Sequence, residues 1–161
     1  MGRNERQLFN GFGKQRLVPF GEYLPLEDYF LVLRALFPGT LKYLPGHEDI
    51  LFKVAPGILA VPSICYEAMF QDHIRKFIPK GGNVIFNMTD DAWFGKSPAS
   101  AVLLAAGLYR AVEFRVPMVR TTNSGNGCFI RATGEIVPKD RRFLLRFDPM
   151  AIAGETNLCR I

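Results

Sequence analysis

Apolar residues change their spacing several times along this 161-residue chain, and each change marks an element. From Leu26 to Phe37 they recur at helical intervals (Phe30, Leu33, Leu36, Phe37), which predicts a helix ended by Pro38-Gly39. Ile50 to Val54 and Ile58 to Ile64 are short β-rich runs parted by Pro56-Gly57, the pattern of a hairpin. Glu67 to Ile78 reads as an amphipathic helix stopped by Pro79 and Gly81-Gly82. Asn83 to Met88 is a buried type of strand, followed by the polar turn Thr89-Asp90-Asp91. Ser100 to Phe114 predicts a long helix and Pro117 to Thr121 another strand. Cys128 to Arg131, a turn at Thr133-Gly134, Glu135 to Val137 and Phe143 to Phe147 predict an antiparallel ending. Strands that alternate with helices before a run of strands imply an α/β sandwich with a mixed sheet. Residues 1–148 read as one domain, and 149–161, which lack periodicity, as a frayed tail.

Composition supports a folded chain: 48% hydrophobic and 22% charged residues are globular values, so a disordered tail or scaffold is excluded. A net charge of +5 invites a nucleic-acid partner, but the basic residues are scattered apart from Lys139, Arg141 and Arg142. No recognition motif accompanies them, so no nucleic-acid partner is expected. Cys65, Cys128 and Cys159 form no metal-ligand spacing, and their odd number rules out a complete disulfide framework. His47 and His73 have no nearby cysteine, so no zinc site is expected. No apolar run reaches the ~18 residues of a membrane span. The polar stretch Met1 to Lys14 lacks the hydrophobic centre of a signal peptide, so the chain reads as soluble.

The candidate chemistry centres on Cys65, in Ser63-Ile64-Cys65-Tyr66-Glu67, where an apolar strand meets the predicted helix. A thiol at a helix N-terminus meets unpaired N–H groups that favour the thiolate and stabilise an oxyanion. The plainer alternative is a small buried hydrophobe, as most free cysteines are. Lys14 and Glu22 lie eight residues apart and flank Leu17-Val18-Pro19-Phe20-Gly21, part of a loop shaped by two prolines and a glycine that runs to Pro25. A lysine beside a nucleophilic cysteine stabilises thiolate and oxyanion, and a carboxylate beside the lysine keeps it charged. Taken alone, such a pair is more often solvated surface charge.

In order, Lys14, LVPFGEYLP, SICYE, NMTDDAWFG and RAVEFRVPMVRTTNSGNG resemble the nitrilase (carbon–nitrogen hydrolase) superfamily over roughly Phe12 to Val137. The wording LVPFGEYLP, Cys-Tyr-Glu and Asp-Ala-Trp-Phe-Gly resembles the catalytic domain of its apolipoprotein N-acyltransferase branch. The resemblance implies the later part of an αββα sandwich whose first strands and helices are missing, occupying residues 1–148. It implies transfer of a fatty acyl group from phospholipid to the amino terminus of a diacylglyceryl lipoprotein. Cys65 then carries the acyl group as a thioester, Lys14 stabilises the oxyanion and Glu22 supports Lys14. Glu67 holds neighbouring groups, Tyr66 packs beside the cysteine and offers an N–H, and Trp93 lines the acyl entrance. Core packing is an equal alternative for Trp93. Arg110, Glu113 and Arg115 are expected to fix the long helix to the sheet, with Arg120 and Asn123 supporting the loop beyond it. No cofactor is implied, and the parent enzyme would face the bacterial periplasm beside the inner membrane.

Two departures from the family pattern matter. Superfamily members use an earlier glutamate as general base, whereas the sole acid before Lys14 is Glu5, within a polar segment. Ser100-Ala101-Val102-Leu103 stands where relatives carry a polar Gln-His type of pair. The expectation is therefore a chain inactive in isolation. The alternatives are a soluble nitrilase-type amidase that hydrolyses a small amide, and a non-catalytic remnant.

Overall fold

The computed structural model describes residues 12–30, 32–40, 42–95, 97–123 and 127–138. Glu5, the basic cluster at Lys139, Arg141 and Arg142, the predicted strand Phe143–Phe147, the tail 149–161 and Cys159 lie outside them. The chain divides into two compact units, Met1–Asp49 and Ile50–Ile161.

The first unit is built from turns. Val18 and Glu22 close a tight turn (Glu22 N–H to Val18 O, 2.9 Å), and Phe20 donates back to the Tyr23 carbonyl at 2.8 Å. Phe20 sits at φ 63°, a left-handed conformation that an aromatic residue adopts at a cost of order 1–3 kcal/mol. Helix α1 spans only Val32–Leu36, so the predicted helix Leu26–Phe37 is corrected to little more than one turn. Leu26 is itself at φ 64° and closes a turn with Tyr29 and Phe30, and that breaks the helix at its start. Helical spacing of apolar residues stabilises a helix only where a core receives them. Here Tyr29, Phe30, Val32 and Leu36 are exposed.

The second unit is a six-stranded mixed sheet in the order β1 (Phe52–Ala55), β2 (Ile58–Ile64), β3 (Val84–Thr89), β4 (Met118–Thr122), β5 (Cys128–Ile130), β6 (Ile136–Pro138). The β1–β2 hairpin forms as the pattern predicts, with Gly57 at φ 78° in its turn. β2, β3 and β4 are parallel, and the remaining pairs are antiparallel. Ile58, Ala60, Val84, Val119 and Phe129 form an apolar cluster, with Ala55, Phe86 and Val137 packed against it. On the opposite pleat, α3 (Ala99–Phe114) lies over the sheet, close enough at Gly107 that an added Cβ would stand 2.8 Å from the Met118 sulfur.

Two expectations change here. The helix over Glu67–Ile78 is interrupted: a 3-10 helix, Cys65–Met69, is followed by extended Phe70 (φ −96°, ψ 111°) and by α2, Gln71–Arg75. With the Phe70 break, each piece still buries part of its apolar face, Ala68 in the first and Ile74 and Phe77 along the second and its exit. Arg110 and Glu113, expected to tie α3 to the sheet, spend their charges on each other. Arg110 pairs with Glu113 one turn further along the same helix at 3.0 Å, and Arg115 is the exposed left-handed residue (φ 52°) at its end. Leu103, Gly107 and Ala111 make the buried face of α3 instead.

Candidate active site

In the first unit the Lys14 ammonium donates to both Glu22 oxygens, at 2.7 and 2.8 Å. The Val18 N–H donates to Glu22 Oε2 at 2.8 Å, so the turn orients the carboxylate and the carboxylate orients the lysine. Behind it, the Gly46 N–H donates to the Lys14 carbonyl and the Tyr43 N–H to the Glu22 carbonyl. Both side chains keep partial exposure, 12% and 20%, as a pair open to a substrate requires. Further along, the hydrogen bond from Lys42, then that from Arg34, holds the Glu27 carboxyl below its ordinary range.

In the second unit Cys65 follows the last residue of β2 directly, at φ 51°. A cysteine held in that sparsely populated region costs of order 1–3 kcal/mol, which the surroundings must over-determine. Two contacts do so. Glu67, fully buried, accepts the Ile64 N–H at 2.7 Å, and its carboxylate lies 3.5 Å from Nε2 of buried His73. That same Nε2 is 3.2 Å from the Pro62 carbonyl. Two acceptors facing one ring nitrogen place a proton on it. From the other side the Asn87 amide reaches the Cys65 carbonyl at 3.4 Å. Tyr66 packs edge-on against Phe70 at 4.9 Å. The long-helix dipole expected at Cys65 is replaced by the local N–H groups of a five-residue 3-10 turn, because the chain leaves β2 left-handed and straightens again at Phe70.

Trp93 belongs to the 3-10 turn Asp91–Phe94 that follows β3, and it is 64% exposed, which removes core packing as its explanation. Asn123, just past β4, fastens the entrance of that turn by donating to Asp90 and accepting the Ala92 N–H. Cys128 is buried in β5, and burial pushes its thiol up, against the lowering pull of Arg120.

The pattern of the sequence missed three residues here. Asn87, Asp91 and Ser63 are buried and polar, on or just beyond β2 and β3. Their one visible signal is a polar residue interrupting an apolar strand, as Asn87 does in NVIFNM. Cys65, Asp91 and Asn123 all stand just beyond the carboxyl ends of the parallel strands, where open α/β sheets place their chemistry.

A carbon–nitrogen hydrolase family model matches residues 28–144, and the chain belongs to that family. Its six-stranded mixed α/β sheet is therefore a nitrilase-type one. The chain is 32% identical to the apolipoprotein N-acyltransferase of Geobacter metallireducens over 145 residues, 90% of this chain and 27% of that one. It is 37% identical to the protein of the same name from Rhizobium etli over 136 residues, 81% of this chain and 25% of that one. The chain thus spans about a quarter of the length of the curated relatives it matches. A solved structure of a Saccharomyces cerevisiae member of branch 10 of the nitrilase superfamily overlaps with a TM-score of 0.49 and 18% identity, covering 63% of this chain and 39% of that one.

Proposed function

We propose that this chain carries the nucleophile-bearing part of an N-acyltransferase that moves a fatty acyl group from phospholipid to the amino terminus of a diacylglyceryl lipoprotein. The observation that carries the reading is Cys65, held left-handed at the end of β2 in a chain whose relatives bear that enzyme's name. In the first half-reaction the Cys65 sulfur attacks the ester carbonyl of the donor. A C–S bond forms, the ester C–O bond breaks, and the thiol proton passes to the departing lysophospholipid hydroxyl. In the second, the α-amine of the lipoprotein attacks the thioester. A C–N bond forms, the C–S bond breaks, and the amine proton returns the thiol.

The Lys14 ammonium, oriented by Glu22, is assigned to the oxyanion of both tetrahedral intermediates. Backbone N–H groups of the turn that begins at Cys65, Tyr66 among them, are assigned to the same oxygen. Trp93 is assigned to the acyl chain, since an exposed aromatic with one polar edge suits a lipid boundary. Glu67 accepts the Ile64 N–H and Glu22 the Lys14 ammonium, and the resemblance assigns the proton acceptor to an earlier glutamate of the whole enzyme. Among the described residues no helix is long and apolar enough to cross a membrane. In the reading, membrane attachment and the periplasmic setting belong to the whole enzyme.

The test is a chimera in which these residues replace the matching segment of the Geobacter metallireducens relative. With phospholipid it should form a thioester on Cys65, and with a diacylated lipopeptide it should complete the transfer. Cys65→Ser should abolish both, and Lys14→Ala should slow thioester formation by about 10²-fold or more. Release of ammonia from small amides, with no thioester from phospholipid, would favour an amidase instead.

A further inference from the structure

Across four strands, Ser63, Asn87, Arg120 and Cys128 stand opposite one another in register, so they share one pleat of the sheet. Arg120 is at the centre, with its side chain fully buried. Its Nη1 donates to Asn87 Oδ1 at 2.8 Å, and its Nη2 donates to both Asp91 oxygens at 3.0 and 3.2 Å. The Asn87 amide, oriented by that bond, donates to the Ser63 hydroxyl at 3.2 Å, the Ser63 carbonyl at 3.3 Å and the Cys65 carbonyl at 3.4 Å. On the other side, Asp91 accepts the Ser100 hydroxyl at 2.6 Å and opens the turn that carries Trp93.

We propose that Arg120 is a positioning residue that sets the Cys65 elbow through Asn87 and the Trp93 turn through Asp91, so that nucleophile and acyl-facing aromatic are placed together. A strand-anchoring arginine needs only one partner. This one places Nη1 on Asn87 of β3, whose amide reaches across to the end of β2, and Nη2 on Asp91 in the turn after β3. The planar fork makes this possible, because a lysine ammonium has a single nitrogen and cannot set separate nitrogens on Asp91 and Asn87. An elbow held left-handed needs such restraint, since a relaxed Cys65 carbonyl would let the chain leave that conformation.

The proposal rests on Cys65 as nucleophile and Trp93 as its neighbour at the acyl site, so the experiment separates the two ideas. Trp93 is the one tryptophan in the sequence, and acrylamide quenching of its emission reports the turn independently of any thiol. Site-resolved iodoacetamide labelling across a pH series reports the elbow. Asp91→Asn keeps shape and removes the charge, Arg120→Lys keeps charge and removes the fork, and Ser100→Ala trims only the outer bond to Asp91. Arg131→Gln, which breaks the exposed Arg131–Glu135 pair, is the control.

Arg120→Lys and Asp91→Asn should each slow Cys65 labelling at neutral pH by about tenfold and change Trp93 quenching in the same variants. Ser100→Ala should move both readouts in the same sense by less, and Arg131→Gln should move neither. Native far-UV circular dichroism with both readouts unchanged overturns the proposal. So does a change in one readout without the other, or loss of the fold in all three variants, which would make the cluster purely structural. If Cys65 in the unaltered chain labels no faster than Cys128, the nucleophile reading fails, while the linked response of elbow and turn still decides the role of Arg120.

Discussion

Two ion pairs, one in each unit, stand in opposite surroundings. Lys14–Glu22 sits among turns in the first unit, where Leu24 is the one fully buried hydrophobic side chain among the described residues. Arg120–Asp91 sits within the sheet of the second unit, with side chains 0% and 1% exposed. A partly exposed pair contributes little to stability, of order 0–1 kcal/mol, because water screens it and its side chains lose freedom. A buried pair has lost its hydration and depends on its partners, so removing one of them costs about 3–5 kcal/mol. The first pair keeps contact with water, whereas the second is committed to the sheet and the turn beyond it. In the proposed function the first pair meets substrate and the second holds the backbone that carries Cys65.

The largest test of this contrast is Arg120→Met, which leaves Asp91 buried without its cation. Urea unfolding should show a loss of about 3–5 kcal/mol. A loss below ~1 kcal/mol would mean that water reaches the sheet pair and the contrast is false. Next, Ile74→Ala in the second unit should cost about 2–5 kcal/mol, because Ile74 is fully buried. Leu36→Ala, at a residue 65% exposed in the first unit, should change stability by no more than ~0.5 kcal/mol.

The pH dependence also separates the units. Burial raises the Cys128 thiol above its ordinary value of 9.0, so the folded state holds that proton more tightly than the unfolded one. The stabilisation is complete below the unfolded value and lost as pH rises through the folded one. Stability should therefore fall above about pH 9, and Cys128→Ala should flatten that alkaline limb. Smallest in stability is Glu22→Gln, expected to cost at most ~1 kcal/mol by urea unfolding. The same change should cost the chimera most of its thioester formation, because Lys14 loses its anionic partner and one of the two oxygens it donates to. A large stability loss with intact thioester formation would reverse the assignment of the two pairs.

Much of the second unit was legible in the sequence because its elements bury what their spacing exposes. The hairpin at Pro56-Gly57, the strand in NVIFNM and the helix ending at Phe114 all appear within a residue or two of their expected bounds. The same spacing misled at Leu26–Phe37, where helical periodicity had no core to pack against. At Glu67–Ile78 it predicted one continuous helix and missed the break at Phe70. Cys65, Lys14 and Glu22 stand out in the sequence as candidates by residue type and local order, and their catalytic roles belong to the proposed function.

What the sequence determined by itself was the succession of strands and helices, the family and the reactive residue types, since each is written in composition, spacing and neighbouring motifs. Tertiary structure alone decided that Asn87, Arg120 and Asp91 form one buried chain, that Trp93 is exposed, and that Arg110 spends its charge within its own helix. The reason is physical. Asn87 and Arg120 are 33 positions apart, and only the parallel register of β3 and β4 sets them opposite one another.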